Sequence, residues 1–249
     1  MHAAFLHVFE KIADVVTPLK DYQQRVVNRM QEPGRPGLVI AHGLGSGKSL
    51  TSMAAQDAMQ TPATVVLPAA LRANYEKERA KHLTGKTQPA NIVSLQNVAR
   101  TGVPKSKMLI VDEAHRGRDP ASSTYKALRD AKADQKMLLT ASPFYNSPHD
   151  LAPLINIAAQ ERVLPNDKAE FDAQYIRNQK VSPGIWGRLT GLKPGAVQEL
   201  DPRSAPGLKK VYDKWVDYQP GGTEGFPTVS RQDVDVPMDH EQLGVYDTL

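Results

Sequence analysis

Lys48 and Ser49 close a glycine-rich octet, His42-Gly43-Leu44-Gly45-Ser46-Gly47-Lys48-Ser49, and Asp112-Glu113 close a later apolar run, Met108 to Val111. Together these residue types are the parts that phosphoanhydride hydrolysis needs. Backbone N–H groups of residues 43–49 can wrap phosphates, and Lys48 can reach the β- and γ-phosphates. The Ser49 hydroxyl and the Asp112 carboxylate are hard oxygen donors suited to Mg²⁺. Glu113 is the better placed of the two acids to orient water and take its proton. The expected small molecules are therefore ATP and Mg²⁺. The octet departs from the usual pattern at one point, because His42 stands where its first glycine is expected.

Chemistry of this kind requires rigid elements behind each group. Gly37-Leu38-Val39-Ile40-Ala41 is a short apolar run suited to a buried parallel strand, and Ser49 to Met59 follows with helical spacing. Strand, glycine loop and helix put free N–H groups and the positive end of a helix dipole against a phosphate. Further apolar runs at 63–67, 91–95, 107–111 and 136–140 alternate with helical patterns. That alternation predicts an α/β fold: a parallel sheet with helices on both faces. The acids Asp112 and Glu113 then lie at the carboxyl end of a strand, the edge where open α/β sheets bind ligands.

Other residues are open to two readings. On its own chemistry, His115 suits a packing or surface role better than a site. Arg72 and Lys77 after Pro68, Arg100 and Lys105 after Ser94, and Arg116 and Arg118 after the acidic pair would line one sheet edge and meet phosphates without regard to sequence. Each is equally readable as a solvated charge. Trp186 and Trp215 suit packing better than base stacking.

At this point the residues resemble a family. The chain is similar to the first RecA-like lobe of superfamily 2 helicases and translocases, the Swi/Snf-type branch above all. Leu19-Lys20-Asp21-Tyr22-Gln23 resembles the adenine-reading segment, and Gln23 is the residue implied to read the base. Residues 43–50 fit the phosphate loop, although Swi/Snf members usually carry an acid where His42 stands. Thr64-Val65-Val66-Leu67-Pro68 with Leu71, Asn74, Tyr75 and Glu78 resembles a segment that touches a nucleic-acid backbone, and Ile92-Val93-Ser94-Leu95 resembles the next one. The resemblance thus implies Pro68, Arg72 and Ser94 as nucleic-acid contacts. Asp112-Glu113-Ala114-His115 matches the acidic DEAH box without a change. Leu138 to Pro143 with Asn146 resembles the motif that couples the ATP site to nucleic-acid movement. It carries Ala141-Ser142 in place of the commoner Gly-Thr. By resemblance, His115, Thr140 and Ser142 are coupling residues.

The family pairs two lobes around ATP, and the second supplies arginine fingers and half of the nucleic-acid track. The expected organisation is an N-terminal amphipathic helix at 1–18 and an ATP-binding lobe at 19–159. A Gly/Pro-rich insert or appendage at 160–228 follows, with helix-like stretches at 167–178 and 206–218. A strand and linker at 229–249 then lead toward a second lobe, where Phe226-Pro227, Met238, Gln242 and Tyr246 resemble the passage. That lobe is expected in cis in a longer protein or in trans from a partner, and 1–249 alone should bind nucleotide better than it hydrolyses it.

Composition narrows the classes. With 249 residues and a 40% apolar share the chain can bury a sizeable core. Zero cysteines exclude disulfides and cysteine-held zinc. The net charge of +4 permits a polyanionic partner without requiring one. No run of eighteen apolar residues predicts a membrane span, so the expected location is cytoplasmic or nucleoid-associated and not secreted. The leading expectation is a nucleic-acid-dependent ATPase, helicase or translocase, with duplex DNA as its track. Two other classes share parts of the pattern. A non-catalytic ATP-binding scaffold would keep the fold. Another P-loop phosphotransferase would keep the loop but not the Leu67-Pro68 segment, His115 or Thr140-Ala141-Ser142.

Overall fold

The computed structural model describes residues 17–83, 88–142, 147–181 and 195–221. Residues 1–16 of the helix expected at 1–18, with Pro143, Asn146, Trp186 and the passage at 226–249, lie outside those residues, and Thr17 and Pro18 are not helical. Five strands form where the apolar runs predict them: β1 (Gly37–His42), β2 (Ala63–Leu67), β3 (Ala90–Ser94), β4 (Met108–Val111) and β5 (Gln135–Thr140). Between them run α1 (Asp21–Met30), ahead of β1, then α2 (Lys48–Ala58), α3 (Arg72–His82), α4 (Leu95–Thr101) and α5 (Ser123–Asp130). After β5 come α6 (Ala152–Ala159), α7 (Lys168–Tyr175), the hairpin strands β6 (Ile176–Val181) and β7 (Gly195–Leu200), α8 (Ala205–Trp215) and β8 (Val216–Gln219).

The main sheet has the order β3-β2-β4-β5-β1-β8, and every pairing in it is parallel. Alternation along the strands divides the core in two. Leu38, Ile40, Val65, Leu67, Ile110, Met137 and Leu139 face α1 to α3 and pack with Val26, Met30, Met53 and Tyr75. Val39, Val66, Leu109, Val111 and Leu138 face the other side and pack with Leu95, Leu128, Ile155, Leu208 and Trp215. Because both faces are covered, the strands are apolar throughout rather than alternating with polar residues. The α/β sheet with helices on both faces is therefore as expected, and Trp215 is a packing residue, buried in the core.

The 206–218 stretch differs from its helical reading. The helix stops at Trp215, and Val216–Gln219 is a sixth strand beside β1, with Val39 opposite Val216 and His42 opposite Gln219. Valine and tyrosine favour an extended backbone, and the open edge of β1 offers it ladder partners, which outweighs local helical spacing. Within the range read as an appendage, α8 and β8 thus complete the lobe's own sheet and core. Lys105 is also placed differently. It lies with Pro62, Ala63, Lys107 and Asp134 around a cavity at the amino ends of β2, β4 and β5. Since α4 runs back along the sheet, the chain has returned to the opposite edge by residue 105.

Candidate functional site

The carboxyl ends of β1, β4 and β5 bring the candidate residues together. β1 runs into the glycine loop, and β4 lies two strands away, with β5 between them. Gly47 adopts φ +73°, the left-handed region, and a Cβ there would come within 2.7 Å of the Gln23 amide. At Gly43 the limit is space alone, since a Cβ would meet the Gly221 backbone at 2.2 Å. Glycine is needed at both positions for those reasons. Leu44 points out, 74% exposed, whereas Ser46 is buried. The Ser46 hydroxyl donates to the Gly43 carbonyl at 2.7 Å and closes the loop on itself.

α2 starts at Lys48, with Ser49 also in its first turn. The Lys48 ammonium donates to the carbonyls of His42 at 3.0 Å and Gly43 at 3.2 Å. Burial lowers its pKa, and the charges of Asp112 and Glu113 oppose that shift. The ammonium and the two acids thus share one electrostatic site.

Asp112 and Glu113 leave β4 through a sharp turn. The Asp112 N–H donates to Val66 at 2.8 Å, continuing the β2–β4 ladder, and the Glu113 N–H donates to the Asp112 carboxylate at 2.9 Å. Glu113 sits at φ +51°. For an L side chain that costs on the order of 1 kcal/mol, a strain of the kind held at functional turns. Burial raises the Asp112 pKa, offset in part by the Glu113 N–H and by Lys48.

His115 follows in the short 3₁₀ turn Ala114–Gly117. Its Nδ1 is 3.2 Å from the Glu113 carboxylate and 3.2 Å from the Thr140 hydroxyl. Thr140 also accepts from the Ser142 N–H at 3.1 Å. Burial lowers the His115 pKa, with Glu113 opposing and Arg116 and Arg118 adding to the fall. The ring therefore ties the acidic turn after β4 to the end of β5, bringing His115, Thr140 and Ser142 into one chain of contacts.

α1 covers the loop from the other side. Tyr22 Oη and Gln23 Nε2 both donate to the Ser46 carbonyl, at 2.9 Å and 3.0 Å, and Gln23 Oε1 accepts from the Lys20 N–H at 2.9 Å. Gln23 still has a second N–H and a second lone pair for a base edge. His42 is fully buried and its Nε2 lies 2.8 Å from the Asp217 carboxylate of β8. Arg25 reaches the same carboxylate through two nitrogens, at 2.9 Å and 2.8 Å, and Arg29 at 3.1 Å. Burial alone would raise the Asp217 pKa. The bonds from His42, Arg25 and Arg29 outweigh it and hold the carboxyl well below the usual range. Sequence reasoning missed Arg25, Arg29 and Asp217. The only local signals were two arginines one helical turn apart and an acid inside the apolar Trp215-Val216-Asp217-Tyr218.

A second cluster lies on the same sheet edge, away from the loop. Arg72, Ser94, Asn97 and Arg100 line an open cavity of about 580 Å³. Ser94 caps α4 by accepting from the Asn97 N–H at 3.1 Å. Pro68 is buried just ahead of the Ala69–Leu71 turn and does not line this cavity, whereas its neighbours Leu67 and Ala69 do. Among the described residues, no helix is long and apolar enough to cross a membrane.

Comparison with known proteins accords with this geometry. A putative ATP-dependent RNA helicase, L538, of Acanthamoeba polyphaga mimivirus is 25% identical over 237 residues, covering 92% of this chain and 48% of that protein. The DNA repair and recombination protein RAD54 of Oryza sativa subsp. japonica is 28% identical over 200 residues, covering 64% of this chain and 20% of that protein. Among solved structures, the Sulfolobus solfataricus SWI2/SNF2 ATPase core in complex with dsDNA superposes with a TM-score of 0.64 at 18% identity, covering 84% of this chain and 46% of that one. The chain thus spans about half, or less, of the length of these relatives. The family model of the SNF2-related domain matches residues 92–248, from β3 through the acidic box and Thr140 to near Leu249, and the chain accordingly belongs to the SNF2-related domain family.

Proposed function

We propose that this chain is the ATP-binding lobe of an ATP-driven motor that moves on duplex DNA. The observation that carries this reading is the convergence of Lys48 with Asp112 and Glu113, with Glu113 linked through His115 to Thr140. One site then holds a phosphate-binding cation, two carboxylates and a connection to the strand that leads toward the nucleic-acid edge.

The residues fit ATP and Mg²⁺ on chemistry. Gly43 and Gly47 let the loop pack closely against Gly221 and Gln23, where any Cβ would clash, and α2 presents its N-terminal N–H groups at the end of that loop. Lys48 exchanges its two carbonyl contacts for β- and γ-phosphate oxygens, a gain because the acceptors become charged. Among the described residues, no group of three or more His, Cys, Asp or Glu side chains could hold a metal alone. That suits Mg²⁺, which keeps waters and phosphate oxygens and needs few protein ligands. Ser49 and Asp112 would hold it, and when bound it would supply charge neutralisation between the phosphates. Glu113 orients the attacking water and accepts its proton. Gln23 reads the adenine edge while its other amide atoms keep the loop in place. Arg72, Ser94 and Arg100 supply phosphate contacts on one strand of the track, with Pro68 fixing the turn that leads to Arg72.

A second RecA-like lobe, in cis or in trans, completes both half-sites, which makes the protein DNA-associated in its setting. Its arginine is worth a factor of roughly 10³–10⁵ in turnover. The test is steady-state ATPase activity on residues 1–249, with and without duplex DNA, and again with a second lobe added. Slow, DNA-insensitive turnover that becomes fast and DNA-stimulated on addition is expected. Vigorous DNA-stimulated turnover by 1–249 alone would refute the half-motor reading. Failure to bind ATP at all would remove the nucleotide assignment.

A further inference from the structure

β8 is only four residues long and is, among the described residues, the last strand of the sheet, yet it carries a buried carboxylate on which three basic side chains converge. From Asp217 two routes lead to the same loop. One passes through His42, whose ring accepts no other partner at Nδ1 and whose carbonyl holds the Lys48 ammonium. The other passes through Arg25 and Arg29 into α1, whose Tyr22 and Gln23 hold the Ser46 carbonyl. A ring contact cross-braces the two, since Tyr22 meets His42 edge-on at 5.5 Å between centroids. The backbone adds a third tie, as the Gly43 N–H donates to the Gln219 carbonyl of β8 at 2.9 Å.

We propose that Asp217 is a positioning residue for the nucleotide site, which sets the adenine-reading helix and the phosphate loop in register with each other. The proposal rests on reading that loop and Gln23 as the ATP site. A buried ion cluster is a weak source of net stability, because desolvation consumes most of its Coulombic gain. What it does supply is direction. The Arg25 guanidinium meets the carboxylate as a planar fork, and such a pair tolerates little rotation. α1 carries its base-reading residue, Gln23, two positions before Arg25, so loss of the fork frees that end of the helix. His42 is the last residue of β1, so loss of its partner frees the start of the loop. Base selection and phosphate affinity should therefore fall together when Asp217 is altered, although Asp217 touches neither part of the nucleotide.

The test is titration of the full 249-residue chain with mant-ATP and mant-GTP, for the wild type, Asp217→Asn and Arg25→Gln, with thermal unfolding of each variant recorded in parallel. Asp217→Asn is expected to raise the Kd for mant-ATP at least tenfold and to bring the ATP:GTP ratio toward one, at a temperature where the variant is folded. A lowered melting temperature with Kd and ratio unchanged would mean that Asp217 merely staples an edge strand, and would overturn the proposal. If Asp217→Asn does not fold, Arg25→Gln decides. Its side chain is 48% exposed, so the substitution is tolerable. A several-fold loss of ATP preference supports the proposal and an unaltered preference overturns it. A wild-type chain that binds neither nucleotide would instead sink the ATP-site reading and this inference with it. Wild-type binding that both variants leave intact refutes only the positioning role.

Discussion

Lys136 sits in β5, four residues before Thr140, and its side chain is almost fully buried. Its ammonium donates to the carbonyls of Leu128 at 3.0 Å and Arg129 at 2.9 Å, the last acceptors of α5. Burial lowers its pKa to about 8, with Asp130 partly opposing. In the unfolded chain the same lysine holds its proton to about 10.4. Between those values the unfolded state binds more protons, so stability must rise with pH. Below pH 8 both states are protonated, and the full cost of the buried charge is present. At about 1.4 kcal/mol per unit, the rise from pH 8 to 9.5 is about 2 kcal/mol. The measurement is the urea midpoint from pH 7.5 to 9.5 for the wild type and for Lys136→Met. The wild type should gain about 2 kcal/mol over this range, and Lys136→Met should lack that gain. The window must stop there because burial raises the Tyr212 pKa well above the usual phenol range. Above pH 10 the unfolded phenol ionises while the folded one does not, so stability falls and hides the lysine. Parallel pH profiles for the two proteins would show that Lys136 is solvated at little cost, and the reasoning would fail.

Further outcomes bear on the site itself. Glu113→Gln should keep mant-ATP affinity and lower the two-lobe ATPase rate by roughly 10²–10⁴, because the amide cannot take the water's proton. Unchanged turnover would show that another group is the base. Lys48→Ala should abolish mant-ATP binding, and wild-type affinity in that variant would dismiss the phosphate-loop assignment. Gln23→Ala should narrow the ATP:GTP ratio and cost about 1 kcal/mol in a denaturation midpoint, since a bond to Ser46 is also lost. A constant ratio would leave Gln23 a packing residue. Arg72→Ala and Arg100→Ala should each reduce the log–log salt slope of duplex binding by about 1, equally across DNA sequences. An unaltered slope would move the track elsewhere.

Local patterns in the chain determined much of this protein. Strand runs, helix spacing and the glycine octet each encode a preference readable within a few residues, and all five expected strands formed. Lys48, Ser49, Asp112 and Glu113 were legible for the same reason. Lys48 and Ser49 follow one apolar run through the glycine loop and Asp112 and Glu113 follow another directly, and both runs had to be parallel strands, so their common edge follows from topology. His115 and Thr140 were nameable only through the family resemblance, because 25 residues separate two side chains that meet at 3.2 Å. Tertiary structure alone decided the rest. Val216–Gln219 became a strand because the free edge of β1 was there to pair with it. Lys105 went to the far edge because α4 reverses the chain direction. The pairing of His42 with Asp217 spans 175 residues. No local propensity records such a contact. It exists because folding removes both groups from water, and a buried carboxylate must then find donors wherever the packing supplies them.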